Sequence, residues 1–256
     1  IDGLLLNPAS SDALVGIAED AADQGVPVYT IDATSPTDAV NMFVGFGSVR
    51  GGRRSGERLI EAVQERGGSN LYEIMGDPSV ETISLRSEGF RQAVDEADGI
   101  EVVGSGPGAF SREETVTALN AFMQQEEIDG IFSTWGGGGL SAVTALDRND
   151  MLNTRDEEGH VPIVPIDGFP DVLQNIRDGF ITSALQQPMP YYGPIATEYL
   201  LQHIDEGGYQ GPSPGDTVEA GDLGIQNVES GGSTPFAEDY WAPAEVETWE
   251  SGGTEY

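Results

Sequence analysis

One pattern governs this chain: short apolar runs alternate with amphipathic stretches from its first residues to about residue 204. The apolar runs fall at 4–6, 26–31, 43–46, 70–75, 100–103, 128–134, 161–166 and 180–186. Between them lie segments whose apolar residues recur at helical spacing, as at Leu14, Ile17, Ala18 and Ala21 within 11–24. Strands that alternate with helices form parallel sheets covered on both faces. In such sheets ligands bind outside the carboxyl ends of the strands. That rule picks out Asn7, Asp32, Trp135 and Asp167, each standing just after an apolar run.

Boundary signals place the remaining helices. Residues 50–64 read as a helix in which Arg53 and Glu57 are i,i+4 neighbours. Asp77-Pro78 is expected to open the next helix, which carries Ile83, Arg86, Phe90 and Val94. Ser111 with Glu114 forms a capping box for a helix to about Gln125. Further helices are expected at 140–148, 170–177 and 192–204, with Gln187-Pro188-Met189-Pro190 as a break. Residues 222–228 read as a last strand. Residues 229–256 read as an acidic tail whose aromatics anchor it to the body.

Charge sets the milieu. The chain has no lysine, 11 arginines and 44 acidic residues, for a formal net charge of -33. Such a surface repels nucleic acid and anionic membrane, so no nucleic-acid partner is expected. Concentrated salt screens the self-repulsion, and the acids are spread along the whole chain, so a saline habitat is expected. There is no cysteine, which excludes disulfides and thiolate sites and leaves redox compartment undecided. No apolar run approaches the length of a membrane span. The opening on a strand-like run at Ile1 to Asn7 reads as a fragment that lacks residues at its front.

Catalytic and cofactor motifs are weak. Gly136 to Gly139 follow a strand and precede a helix, a phosphate-loop context. The run lacks lysine, however, and the protein's field opposes an anion. A close backbone approach or a loop kept open for a ligand are the other readings. His160 and His203 form no metal pair, and no nucleophile elbow is present. No metal, cofactor or catalytic residue is therefore assigned. Arg86, early in a helix that packs on a sheet, offers a forked donor, with a surface ion pair to Glu81, Glu88 or Glu114 as the alternative.

Several stretches together resemble a known family. They are DGLLLNPASSDAL at 2–14, GVPVYTID at 25–32, VGFGSVRGGRRSGERL at 44–59, LRSEGF at 85–90, IDGIFST at 128–134, LSAVTAL at 140–146 and PIDGFPDVLQNIRDGFITSALQQP at 165–188. Their order and spacing resemble the periplasmic sugar-binding proteins of ABC importers, in the ribose-binding-protein-like branch. The resemblance implies the α/β, type I periplasmic-binding-protein fold: two Rossmann-like domains with parallel sheets flanked by helices. The first domain would join 1–46 to 188–218 and be incomplete at its N-terminus, without its first β-α-β segment. The second would join 47–187 to 219–228.

The same resemblance implies the ligand contacts. Asp32 matches an acid that accepts sugar hydroxyls, Arg86 a donor to ring oxygen or hydroxyls, and Phe110 a ring over one sugar face. Asp167 matches a second acid at a strand end, and Gln186 an amide beside the hinge. Two positions depart from the family. Ala33 stands where arginine is common. Trp135 and Gly136 stand where an asparagine and an acid are usual, which favours a deoxy sugar, a polyol or a ligand with an apolar face over plain ribose. On residue chemistry alone, Asp32 and Asp167 could be caps or turn acids, Phe110 a staple before Ser111, and Gln186 a backbone partner.

The implied role is capture of a small neutral sugar or polyol and its delivery to an ABC transporter membrane permease by a non-enzymatic monomer. The expected location is extracellular or at the cell surface, anchored through an N-terminal segment. Arg50, Arg53, Arg54 and Arg58 are a candidate docking patch or, equally, a salt-bridged helix face. The rival roles are the effector-binding domain of a sugar-responsive transcription regulator of the same fold, and an enzyme of carbohydrate metabolism.

Overall fold

A computed structural model describes residues 1–33, 35–106, 109–187, 189–209, 211, 217–219, 225–228, 235–236 and 241–242. The chain divides into two units. The first holds Ile1–Gly47, Ser79–Thr82 and Pro188–Tyr240; the second holds Ser48–Pro78, Ile83–Gln187 and Trp241–Tyr256.

The first unit is built on a parallel sheet of β1 (Leu4–Leu6), β2 (Val28–Ile31) and β3 (Val40–Val44), in that order. Alternation along β2 sends successive side chains to opposite faces. Val28 packs with Ala18 and Ala21 of helix α1 (Val15–Asp23). Tyr29 faces the other way, and its hydroxyl donates to the Tyr199 carbonyl at 3.3 Å on the last helix of the unit, Met189–Glu206. Burial pushes the Tyr29 phenol above its ordinary range. That helix begins before the expected Tyr192 and runs through Pro194.

The second unit carries a four-stranded parallel sheet. Its strands are β4 (Asn70–Ile74), β5 (Glu101–Gly106), β6 (Gly130–Ser133) and β7 (Ile163–Pro165), in the order β5-β4-β6-β7. On one face Tyr72, Ile74, Ile131 and Ile163 pack with the buried sides of α4 (Arg112–Met123), α5 (Gly136–Arg148) and α6 (Pro170–Arg177). On the other, Phe132 stacks on Phe90 of α3 (Glu81–Asp95), centroids 4.3 Å apart. Glu73 on the same face is fully buried and accepts from Ser87 Oγ, Arg91 and Ser105 Oγ. A buried carboxylate with three donors is satisfied.

Helices α2 (Ser48–Gln64) and α3 touch backbone to backbone. A Cβ on Gly52 would fall 1.9 Å from the Arg86 carbonyl oxygen, and one on Gly89 would fall 1.8 Å from that of Val49. Only glycine permits this approach, and it fixes the height of Arg86 along α3.

Several boundaries differ from expectation. α3 starts at Glu81, three residues past Pro78, with a turn between. The run at 180–186 yields only β8 (Ala184–Leu185), pairing antiparallel with Trp241–Ala242. The last expected strand is Ile225–Val228, flanked antiparallel by Thr217–Glu219 and Pro235–Phe236. The remainder of 229–256 lies outside the described residues. No helix of the described residues is long and apolar enough to cross a membrane.

Candidate functional site

Five of the six expected contact residues follow strands and Arg86 lies on α3; three of the six share an unusual backbone. Asp32, Phe110 and Asp167 have φ of 64°, 38° and 80°. Side chains other than glycine enter this left-handed region at a cost of order 1–3 kcal/mol, and such strain concentrates where a side chain must be aimed.

In the first unit, Asp32 follows β2 and Asn7 follows β1. Asn7 Nδ2 donates to Asp32 Oδ2 at 3.5 Å, and the Asp32 amide is held by the Val44 carbonyl at 3.0 Å. Ala33 is buried beside them and adds no polar group.

In the second unit, α3 delivers Arg86 to the exits of β6 and β7. The residue is only 4% exposed, so the surface ion-pair alternative does not hold. Its Nη1 donates to the Thr134 carbonyl at 2.9 Å and lies 3.9 Å from Asp167 Oδ2. Asp167 Oδ1 accepts from Gln187 Nε2 at 2.6 Å, and its amide donates to the Leu185 carbonyl at 2.8 Å. Gln186 turns elsewhere. Its Oε1 accepts from the Gly168 amide at 2.8 Å and its Nε2 donates to the Gln187 carbonyl at 3.2 Å, so both ends of this amide serve backbone.

Phe110 and Trp135 form an edge-on pair with centroids 5.3 Å apart, 88° between planes. Phe110 thus leans on Trp135 and on Gly76, where a Cβ would fall 2.6 Å from its ring. Trp135 is the N-cap of α5. The helix expected from about Leu140 starts four residues earlier, at Gly136, and the close backbone approach expected of the four glycines holds. They are the buried first turn of that helix. Their bare backbone admits close neighbours: a Cβ on Gly136 would meet the Asp167 carbonyl at 2.7 Å, and one on Gly137 would meet the indole at 2.0 Å. The Trp135 Nε1 is buried without a hydrogen-bond partner among the described residues.

Two of the four arginines on α2 are paired with nearby acids. Arg53 holds Glu96 through two hydrogen bonds, at 2.8 and 2.6 Å, and reaches Glu57 at 3.0 Å; Arg58 pairs with Glu61 at 2.6 Å. Among the described residues no cluster of three metal-ligating side chains occurs. His160 is buried, with Nδ1 2.8 Å from the Asn153 carbonyl, and burial holds its imidazole below the ordinary histidine range.

Residues 1–208 match the sequence profile of the family described as periplasmic binding protein domain. The chain belongs to that family. The ribose import binding protein RbsB of Bacillus subtilis is 26% identical over 201 residues, covering 77% of this chain and 61% of that protein. A D-apiose import binding protein of Actinobacillus succinogenes is 29% identical over 155 residues, covering 58% and 49%. The chain spans about three fifths of the length of the first of these curated relatives. Among solved structures, an ABC transporter solute binding protein from Bacillus halodurans with bound myo-inositol superposes with TM-score 0.75 at 22% identity, covering 99% of this chain and 78% of that one. One from Actinobacillus succinogenes with bound D-allose gives 0.73 at 23%, covering 83% and 75%. The chain has the type I α/β fold, with parallel sheets flanked by helices.

Two neighbours of the site in this family member escaped sequence reasoning. Gln187, not Gln186, reaches the Asp167 carboxylate. Phe169, the N-cap of α6, lays its ring 2.8 Å from where a Gly136 Cβ would be. In the sequence it is an aromatic directly before a helix-opening proline, which marks a missing polar cap and does not by itself point to a ligand contact.

Proposed function

We propose that this chain is the solute-binding component of an ABC sugar importer: it captures a monosaccharide or related polyol and hands it to an import permease. The observation that carries this reading is the Arg86–Asp167 pair. A buried guanidinium, already anchored by the Thr134 carbonyl, stands 3.9 Å from a carboxylate aimed by left-handed backbone. A forked donor beside a charged acceptor suits sugar hydroxyls, each of which both gives and takes a hydrogen bond. Asp32 and Asn7 form a second acceptor–amide pair at strand exits of the other unit. The relatives named as ribose and apiose import binding proteins support the same reading.

In this role no bond of the ligand is made or broken. The site residues bind and orient, and the ligand leaves as it entered. The proposed location is extracytoplasmic, with the chain held to the membrane surface by an N-terminal segment. The net charge of -33 fits a working milieu of concentrated salt, where the screening length falls to a few ångströms.

The test is thermal unfolding in about 2–3 M salt, where surface charge is screened, against a panel of pentoses, hexoses, deoxy sugars, polyols and nucleosides. A ligand at a hundredfold excess over Kd adds about 2.7 kcal/mol to stability. One sugar or polyol is expected to raise the midpoint, and Asp32→Ala and Arg86→Ala to abolish the rise. A cooperatively unfolding protein that responds to no sugar or polyol contradicts the proposal.

A further inference from the structure

Two helices of the second unit begin against a local rule. An N-cap residue ordinarily carries an oxygen that accepts from the first-turn amides. α4 obeys, with Ser111 Oγ accepting from the Glu114 amide at 3.3 Å. α5 and α6 begin behind Trp135 and Phe169, and neither has a side-chain cap. A third aromatic, Phe110, stands directly before Ser111 in left-handed backbone. Strands β5, β6 and β7 therefore each lead to a ring at their carboxyl ends.

Each ring rests on bare glycine backbone: Phe110 on Gly76, Trp135 on Gly137 and Phe169 on Gly136, where a Cβ would come within 2.6, 2.0 and 2.8 Å of the respective ring. Among the described residues of the second unit, Phe110 and Phe169 are the exposed large hydrophobics, at 43% and 42%. The buried indole N–H leaves Trp135 to present carbon. Caps given up and apolar surface left exposed at the carboxyl end of one sheet mark a feature kept for a ligand and not for the fold.

We infer that Phe169 is a specificity-determining residue. With Phe110 and Trp135 it forms an aromatic arc that selects a sugar with a deoxygenated or methyl carbon over its fully hydroxylated counterpart. The inference rests on the sugar-binding reading above. Rings stack on C–H groups, whereas a hydroxyl pressed against them loses its water partners and gains none.

The experiment is titration calorimetry of the full chain with two matched pairs, D-fucose against D-galactose and L-rhamnose against L-mannose. The variant is Phe169→Ser, which removes the ring and supplies α6 with an ordinary cap, so folding is preserved or improved. The parent is expected to prefer one deoxy sugar by roughly tenfold or more, the scale of an apolar pocket's discrimination. Phe169→Ser is expected to reduce that preference to about threefold or less while its unfolding midpoint holds or rises. Unchanged preference in Phe169→Ser, or a parent that binds sugars but does not favour the deoxy member, overturns the inference and leaves the sugar-binding reading standing. A parent that binds none of these sugars, nor any of the wider panel, overturns both.

Discussion

Arg86 and Asp167 meet at the exit of the second sheet, with Nη1 of the arginine 3.9 Å from Oδ2 of the aspartate and 2.9 Å from the Thr134 carbonyl oxygen. The same nitrogen serves the fold through the carbonyl and the site through the carboxylate. Arg86→Ala should therefore lower stability by about 1–3 kcal/mol, because a buried acceptor loses its donor. Arg86→Lys keeps the charge and loses the fork, so ligand affinity should fall about tenfold, or 1.4 kcal/mol, with a smaller loss of stability. Denaturant titration and calorimetry separate the two. An Arg86→Ala protein as stable as its parent would count against the dual role.

Asp167 sits at φ 80°, a conformation glycine adopts freely. Asp167→Gly should be more stable than Asp167→Ala by about 1 kcal/mol, since only the alanine carries a Cβ into the left-handed region. Both should lose ligand. Equal stability of the two variants would mean that the backbone there relaxes without strain.

The close contact of α2 and α3 predicts a steep response to one methyl group. A Cβ on Gly89 would lie 1.8 Å from the Val49 carbonyl oxygen, so Gly89→Ala must part the helices and should cost about 3 kcal/mol or more. Because Arg86 is one turn away on α3, affinity should fall with it. Gly16 in α1 has nothing within 4 Å, so Gly16→Ala should be neutral or stabilise by up to about 1 kcal/mol. Comparable effects at the two positions, read from unfolding midpoints, would contradict this packing account.

His160 predicts a pH dependence. Burial lowers its folded pKa below the unfolded value near 6.5. The unfolded chain then binds the proton first as pH falls, so the contribution of a neutral, buried His160 is intact above about pH 6.5 and is lost progressively below it. Carboxylates titrate lower, so the signature is the difference between parent and His160→Gln in unfolding midpoint from pH 8 to 5. That difference should shrink on acidification; a constant difference would contradict the account.

Most of the fold was legible because strand and helix periods are local. The helix at Pro170–Arg177 was read to the residue, since Pro170 opens it and Gly179 follows its end at φ 84°. The start of α5 was misread because glycines are helix breakers by propensity. Here tertiary contact overrides propensity, for the Asp167 carbonyl, the Trp135 ring and Pro165 occupy the space that Cβ atoms would need. The strand expected at 180–186 shortened because pairing, not apolarity, decides where a strand exists.

The site was legible as strand ends and less so as atoms. Position after a strand singled out Asn7, Asp32, Trp135 and Asp167. Which of two adjacent glutamines turns toward Asp167 depends on backbone direction after β8, which no local pattern encodes. Phe169 was passed over because an aromatic before proline carries no helix-start signal of its own, and its neighbour Gly136 lies 33 residues earlier in the chain.

The most direct test of the central claim is titration calorimetry of the full chain in molar salt with the sugar or polyol that most raises its unfolding midpoint, followed by recovery of the ligand. The account predicts one molecule bound per chain, binding lost in Arg86→Ala, and a ligand recovered chemically unchanged. Absence of binding heat with every neutral sugar and polyol in a folded protein, or recovery of a converted product, would contradict it.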